Sequence, residues 1–139
     1  MEIEKLRKED FIKPFCGEPT IRFQNTGPIV LNSKAVKHLS LKEGNGKLAS
    51  VCIYTENKRH SEFFITKDVE GWELRLDSTG KGLFNNVKLA RFVIDSTWEN
   101  CVCHPVGAVK PDNMTFKIAR LPLDDDKNKN VFALLRKSQ

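Results

Sequence analysis

Thr20-Ile21-Arg22-Phe23-Gln24-Asn25-Thr26-Gly27-Pro28-Ile29-Val30-Leu31-Asn32 reads as a strand, a tight reversal and a returning strand. The same order recurs 53 positions later in Glu73-Leu74-Arg75-Leu76-Asp77-Ser78-Thr79-Gly80-Lys81-Gly82-Leu83-Phe84-Asn85. In the first strand of each stretch apolar residues alternate with polar ones, as a strand with one covered face requires. A polar tetrad ending in glycine then supplies the turn, and Pro28-Ile29-Val30-Leu31 is β-branched enough to read as the returning strand. Carried further, the slide lays residues 20–67 over 73–120 without a gap and makes six of 48 pairs identical: Arg22/Arg75, Thr26/Thr79, Gly27/Gly80, Asn32/Asn85, Phe63/Phe116 and Ile65/Ile118. Apolar character also agrees at 21/74, 23/76, 30/83, 31/84, 36/89, 39/92, 41/94 and 53/106. An internal repeat means that each unit is one supersecondary element unable to bury its apolar face alone. The expectation is a mainly β domain with short helices (α+β): a pseudo-twofold β-barrel of two tandem strand-turn-strand-helix-strand-strand repeats. Two unrelated strand–helix–strand stretches with ordinary patterning are the alternative.

Outward from the hairpins, Asn32 or Ser33 offers a helix-capping oxygen, and Ala35, Val36 and Leu39 form a one-sided apolar patch. Leu41 tucks inward before Lys42-Glu43-Gly44-Asn45-Gly46 turns the chain; strands are predicted at 48–54 and 62–67. In the second unit Asn85 or Asn86 caps a helix expected over 87–95. Strands are expected at 102–109 and 115–121, with a turn at Lys110-Pro111-Asp112-Asn113. Residues 1–13 read as a polar arm. Residues 124–139 form a charged C-terminal extension in which Val131-Phe132-Ala133-Leu134-Leu135 is a short helix or an added strand. A single domain of 139 residues accommodates all of this.

The balance of 23 basic against 18 acidic residues, net +5, permits a polyanionic partner without requiring one. The charged start, Met1 to Asp10, is unlike a signal peptide, and no stretch has the roughly 18 apolar residues of a membrane span. A cytoplasmic protein without membrane association is expected, its four cysteines reduced. Cys101-Val102-Cys103-His104 could offer three soft ligands. In an extended segment, however, His104 points away from the two thiols, so packing is the expected role and no metal or other cofactor is assigned. Catalysis is not expected either: His38, His60 and His104 fall in unrelated contexts, and Gly44-Asn45-Gly46-Lys47 lacks the spacing of a phosphate loop.

The run from Gly27 through Pro28-Ile29-Val30-Leu31-Asn32 and the helix to Leu39-Ser40-Leu41-Lys42-Glu43-Gly44 resembles the AbrB/SpoVT family of swapped-hairpin barrels, which includes MazE-like antitoxins. Gly27, residues 29–31, Leu39, Leu41 and Glu43 match the family pattern, whereas Asn32 replaces its proline and Ser40 its glycine. In that family two chains interleave their hairpins. Two units in one chain would therefore close the barrel as a monomer, with higher association left open. The resemblance implies transcriptional regulation through double-stranded DNA. It makes Arg22, Lys34, Lys37, Arg75, Lys81 and Arg91 the contact set, with helix N-termini as added phosphate donors. Basic residues of the family are missing at Pro28, Leu89 and Ala90, which favours backbone contact over base readout. The alternative is a protein-interaction module, antitoxin-like or an accessory protein of a phage or mobile element, whose C-terminal tail docks on a protein partner.

Overall fold

A computed structural model describes residues 18–55, 62–100, 107–120 and 131–136. In chain order its elements are β1 (Thr20–Gln24), β2 (Pro28–Leu31), α1 (Ser33–His38), β3 (Val51–Thr55), β4 (Phe63–Lys67), β5 (Arg75–Leu76), β6 (Gly82–Asn85), α2 (Val87–Glu99), β7 (Asn113–Arg120) and β8 (Val131–Arg136). The eight strands form one antiparallel sheet in the order β3-β4-β8-β7-β1-β2-β6-β5, curled into a half-barrel with two short helices. Among the described residues its two edges meet where Val51 and Trp72 exchange backbone bonds of 3.1 and 2.8 Å.

Period-two patterning explains which face is covered. Ile21, Phe23, Ile29, Leu31, Phe84, Phe116 and Ile118 point into the curl and are buried, and Phe23 meets Phe116 edge-on at 5.6 Å. The helices close over this core through Ala35, Val36, Ala90, Val93 and Ile94. Each begins at an asparagine: Asn32 Oδ1 accepts from Ala35 N, and Asn86 Oδ1 accepts from Leu89 N. In the second unit the cap is therefore Asn86, while Asn85 ends β6 with its side chain exposed.

Several expectations need correction. The helix expected to end near 95 runs to Glu99, because Ser96-Thr97-Trp98-Glu99 contains no breaker and Trp98 packs against the core. Residues 107–112 are not a strand, and the strand of this region starts at Asn113; 101–106, with the Cys-x-Cys-His run, lie outside the described residues. Residues 131–136 form a strand between β4 and β7, with Phe132 and Leu134 buried. Leu76 and Phe92 are about two-fifths exposed, although their apolar matches Phe23 and Leu39 are buried. Val30 and Leu83 are half-buried because both point outward, in register with Arg22 and Arg75. Among the described residues no helix is long and apolar enough to cross a membrane.

Candidate nucleic-acid interface

Strand register decides which outward side chains meet. Arg22 lies opposite Val30, Val30 opposite Leu83, and Leu83 opposite Arg75, so these four residues form one row across β1, β2, β6 and β5. Thr115 of β7 extends the row beyond Arg22. With strands spaced about 4.8 Å apart, the two arginine Cα atoms stand on the order of 14 Å apart. Both side chains are exposed. With the Asn113 amide turned so that its nitrogen donates to Asp112 O, its oxygen accepts from Arg22 Nη2 at 3.1 Å.

Beside this row runs a groove of about 380 Å³ lined by Arg22, Asn32, Asp77, Lys81 and Thr115, among others. Asp77 is turned toward its own loop: its Oδ1 accepts from Thr79 Oγ1, Thr79 N and Lys81 N at 2.7–2.9 Å. Those bonds, the Thr79 hydroxyl first, hold its carboxyl below the ordinary carboxylate range. Hence the acid beside Lys81 serves the turn as an acceptor hub.

The helix residues sit at the ends of the row. Because β2 and β6 are antiparallel, the 24–27 and 77–80 turns lie at opposite ends of the sheet. The first turn of α1 packs on the 77–80 turn, where a Cβ at Gly80 would be 3.5 Å from Ser33 Cβ. That of α2 packs on the 24–27 turn, where a Cβ at Gly27 would be 2.9 Å from Val87 Cγ2. Lys34 and Lys37, on a helix only about 9 Å long, therefore join Lys81 at one end. At the other end Arg91 donates from Nε to Asn25 O at 3.0 Å. The six residues thus make two central arginines, three lysines at one end and one arginine at the other, with no single cluster.

Two roles were not evident from the sequence. Thr115 joins the row only through β1–β7 pairing, and exposed Lys88 accompanies Arg91 on the first two turns of α2. The helix N-termini are less open to phosphate than expected, since Asn32 and Asn86 already occupy them. Two other lysines are engaged in exposed ion pairs, Lys117 with Glu18 at 3.7 Å and Lys110 with Asp95. No cluster of three potential metal-ligating side chains occurs among the described residues. No protein-family model matches the chain, and no curated protein or solved structure shows significant similarity to it.

Proposed function

We propose that the chain is a single-chain barrel of the AbrB/SpoVT kind, built of two tandem halves, and that it binds double-stranded DNA in transcriptional control. The observation that carries the reading is the row in which Arg22 and Arg75 stand symmetrically on either side of the Val30–Leu83 pair. Their spacing suits phosphates flanking a groove about 12 Å wide, given two long, flexible side chains.

The registers support two halves. Moving Arg22–Val30 and Phe23–Ile29 on by 53 positions gives Arg75–Leu83 and Leu76–Gly82, both of which are paired. Moving Val51–Lys67, Cys52–Thr66 and Ile53–Ile65 on by 67 gives Ile118–Leu134, Ala119–Ala133 and Arg120–Phe132, again all paired. The same two offsets turn the Val51 N–H to Trp72 O bond into Ile118 N–H to Pro19 O, which is present at 3.0 Å. The repeat is then gapped rather than continuous, and its second half runs on to Arg136. The mutual packing of each turn glycine on the other half's helix fits the same reading.

Non-specific backbone contact is the expected mode, since the row offers two arginines and few groups aimed at base edges. Fluorescence polarisation against random duplex DNA across a salt series tests it. With about six phosphate contacts, log affinity falls with log salt at a slope near −5; Arg22→Gln and Arg75→Gln each reduce that slope by about one. Absence of binding at low salt removes the DNA reading. A protein partner docking on the C-terminal tail is weaker as a second reading, because Val131–Arg136 is held between β4 and β7.

A further inference from the structure

Arg22 and Arg75 stand symmetrically in the row, but their surroundings differ. Asn113, the first residue of β7, faces outward two positions before Thr115, which lies opposite Arg22. That diagonal separation is within reach of a long side chain. With the Asn113 amide turned as described, its oxygen accepts from Arg22 Nη2 at 3.1 Å and its nitrogen donates to Asp112 O at 3.0 Å. Asp112 O also accepts from Asn25 N at 2.9 Å, while Asn25 Nδ2 donates to Asp112 Oδ1 at 3.0 Å. Asn25 O in turn accepts from Arg91 Nε at 3.0 Å. Arg22 and Arg91 are therefore the two ends of one hydrogen-bonded network across the 24–27 turn and the head of β7.

The other half holds no copy of this network. The 53- and 67-position offsets carry Asn25 to Ser78, Arg91 to His38, Asp112 to Asn45 and Asn113 to Gly46. Gly46 has no side chain to set against Arg75, and Asn45 Oδ1 accepts from Lys47 N at 3.0 Å. The His38 ring packs edge-on against Phe132, with centroids 5.1 Å apart. Among the described residues the Arg75 side chain has no hydrogen-bond partner.

We infer that Asn113 is a positioning residue for DNA binding: it fixes the Arg22 guanidinium before a phosphate arrives and makes Arg22 the stronger of the two central contacts. One guanidinium donor is engaged by Asn113, and the rest of the fork is left for phosphate oxygens. A side chain already fixed loses less rotamer freedom on binding, an advantage of about threefold to tenfold in affinity for one long side chain. Asn113 carries no charge, so it adds no counterion release of its own. Affinity and salt slope therefore separate: Asn113 acts on the first alone, whereas Arg22 acts on both. The inference rests on the DNA reading, and the contrast with Arg75 rests on the two-halves reading.

The experiment is fluorescence polarisation of a labelled random duplex with the full chain over a salt series, run as a double-mutant cycle. Asn113→Ala should weaken binding about threefold to tenfold at every salt concentration and leave the slope unchanged. In an Arg22→Gln background the same substitution should change affinity by less than about twofold, since no guanidinium is left to position. Arg22→Gln should lose about threefold to tenfold more affinity than Arg75→Gln, although each lowers the slope by about one. Arg22→Lys should keep the slope but lose the fork, with Asn113→Ala adding nothing further. Unchanged affinity in N113A, a slope lowered by about one, or an equal loss in both backgrounds would each overturn the inference. Asn113→Thr, which suits a strand but cannot bridge Asp112 and Arg22, replaces N113A should that variant not fold. If neither folds, Asn113 is a residue of the fold and the inference fails. Absence of wild-type binding at low salt removes the DNA reading and this inference with it. Wild-type binding that depends on Arg22 but not on Asn113 removes this inference alone.

Discussion

At the scale of single residues, the fold depends on a close approach at Gly71. A Cβ there would lie 2.1 Å from Val51 O and 2.4 Å from its carbonyl carbon, so only glycine lets the 68–71 turn pass beneath the Val51–Trp72 bridge. Gly71→Ala must push the two edges apart; a loss of about 1–3 kcal/mol is expected, read as a lower urea midpoint. Phe116 is 2 % exposed and edge-on to Phe23, so Phe116→Ala should cost about 3–5 kcal/mol in the same measurement. Asp77 predicts a pH effect. Its pKa in the fold lies below the ordinary 3.8, because Thr79 and the Lys81 amide favour the carboxylate. The resulting stability is present above the unfolded value and is lost as pH falls through the lower folded one. Asp77→Asn keeps an acceptor for the turn but cannot titrate. Its urea midpoint should therefore fall less than that of the wild type between about pH 5 and pH 3.

At the scale of elements, the caps and the last strand show what was legible. Alternation with a turn glycine made both hairpins visible, and their pairing follows the 53-position slide. Local chemistry could not choose between Asn85 and Asn86, since both carry the capping amide. The choice is made by β6, which extends through Asn85 and leaves Asn86 extended at φ −157°. For β8 the run Val131-Phe132-Ala133-Leu134-Leu135 has no polar alternation, so no period distinguishes a helix turn from a central strand. The Arg22–Arg75 row was half legible: both arginines stood out, but their shared row depends on β2–β6 pairing, a long-range contact. Beyond the helices the 53-position slide lays β3 over 104–108, whose described residues form no strand, because α2 runs on to Glu99 and the next strand begins only at Asn113. Two element-level outcomes follow. Asn32→Ala loses the acceptor for Ala35 N and Thr20 N and the donor to Glu18 O. It should cost about 0.5–2 kcal/mol in chemical denaturation. Ending the chain after Asn130 removes β8 and strips pairing from β4 and β7 together; cooperative thermal unfolding should disappear.

At the scale of the whole molecule, the order β3-β4-β8-β7-β1-β2-β6-β5 keeps the β1–β2 and β3–β4 hairpins of residues 1–70 apart, and likewise β5–β6 and β7–β8 of residues 71–139. The β1–β2 hairpin is flanked by β7 and β6, and the β3–β4 hairpin rests on β8. Residues 1–70 alone would hold two hairpins with no shared ladder, and isolated hairpins are marginal in water. Residues 71–139 are in the same position, with β5–β6 separated from β7–β8. Each fragment is therefore expected to lack a cooperative transition by itself. Mixing them should restore one, because the missing β1–β7, β2–β6 and β4–β8 ladders then form between chains. Folding becomes bimolecular on cutting, so the midpoint of the mixture should rise with concentration while that of the intact chain does not. The measurement is circular dichroism melting of each fragment, the mixture and the intact chain at several concentrations. A stable folded homodimer of residues 1–70 would contradict the expectation. It would have to bring Val30 against a second Val30 at the β2 ladder and a second Phe64-bearing strand into the place of β8, where Phe132 and Leu134 are buried against the core.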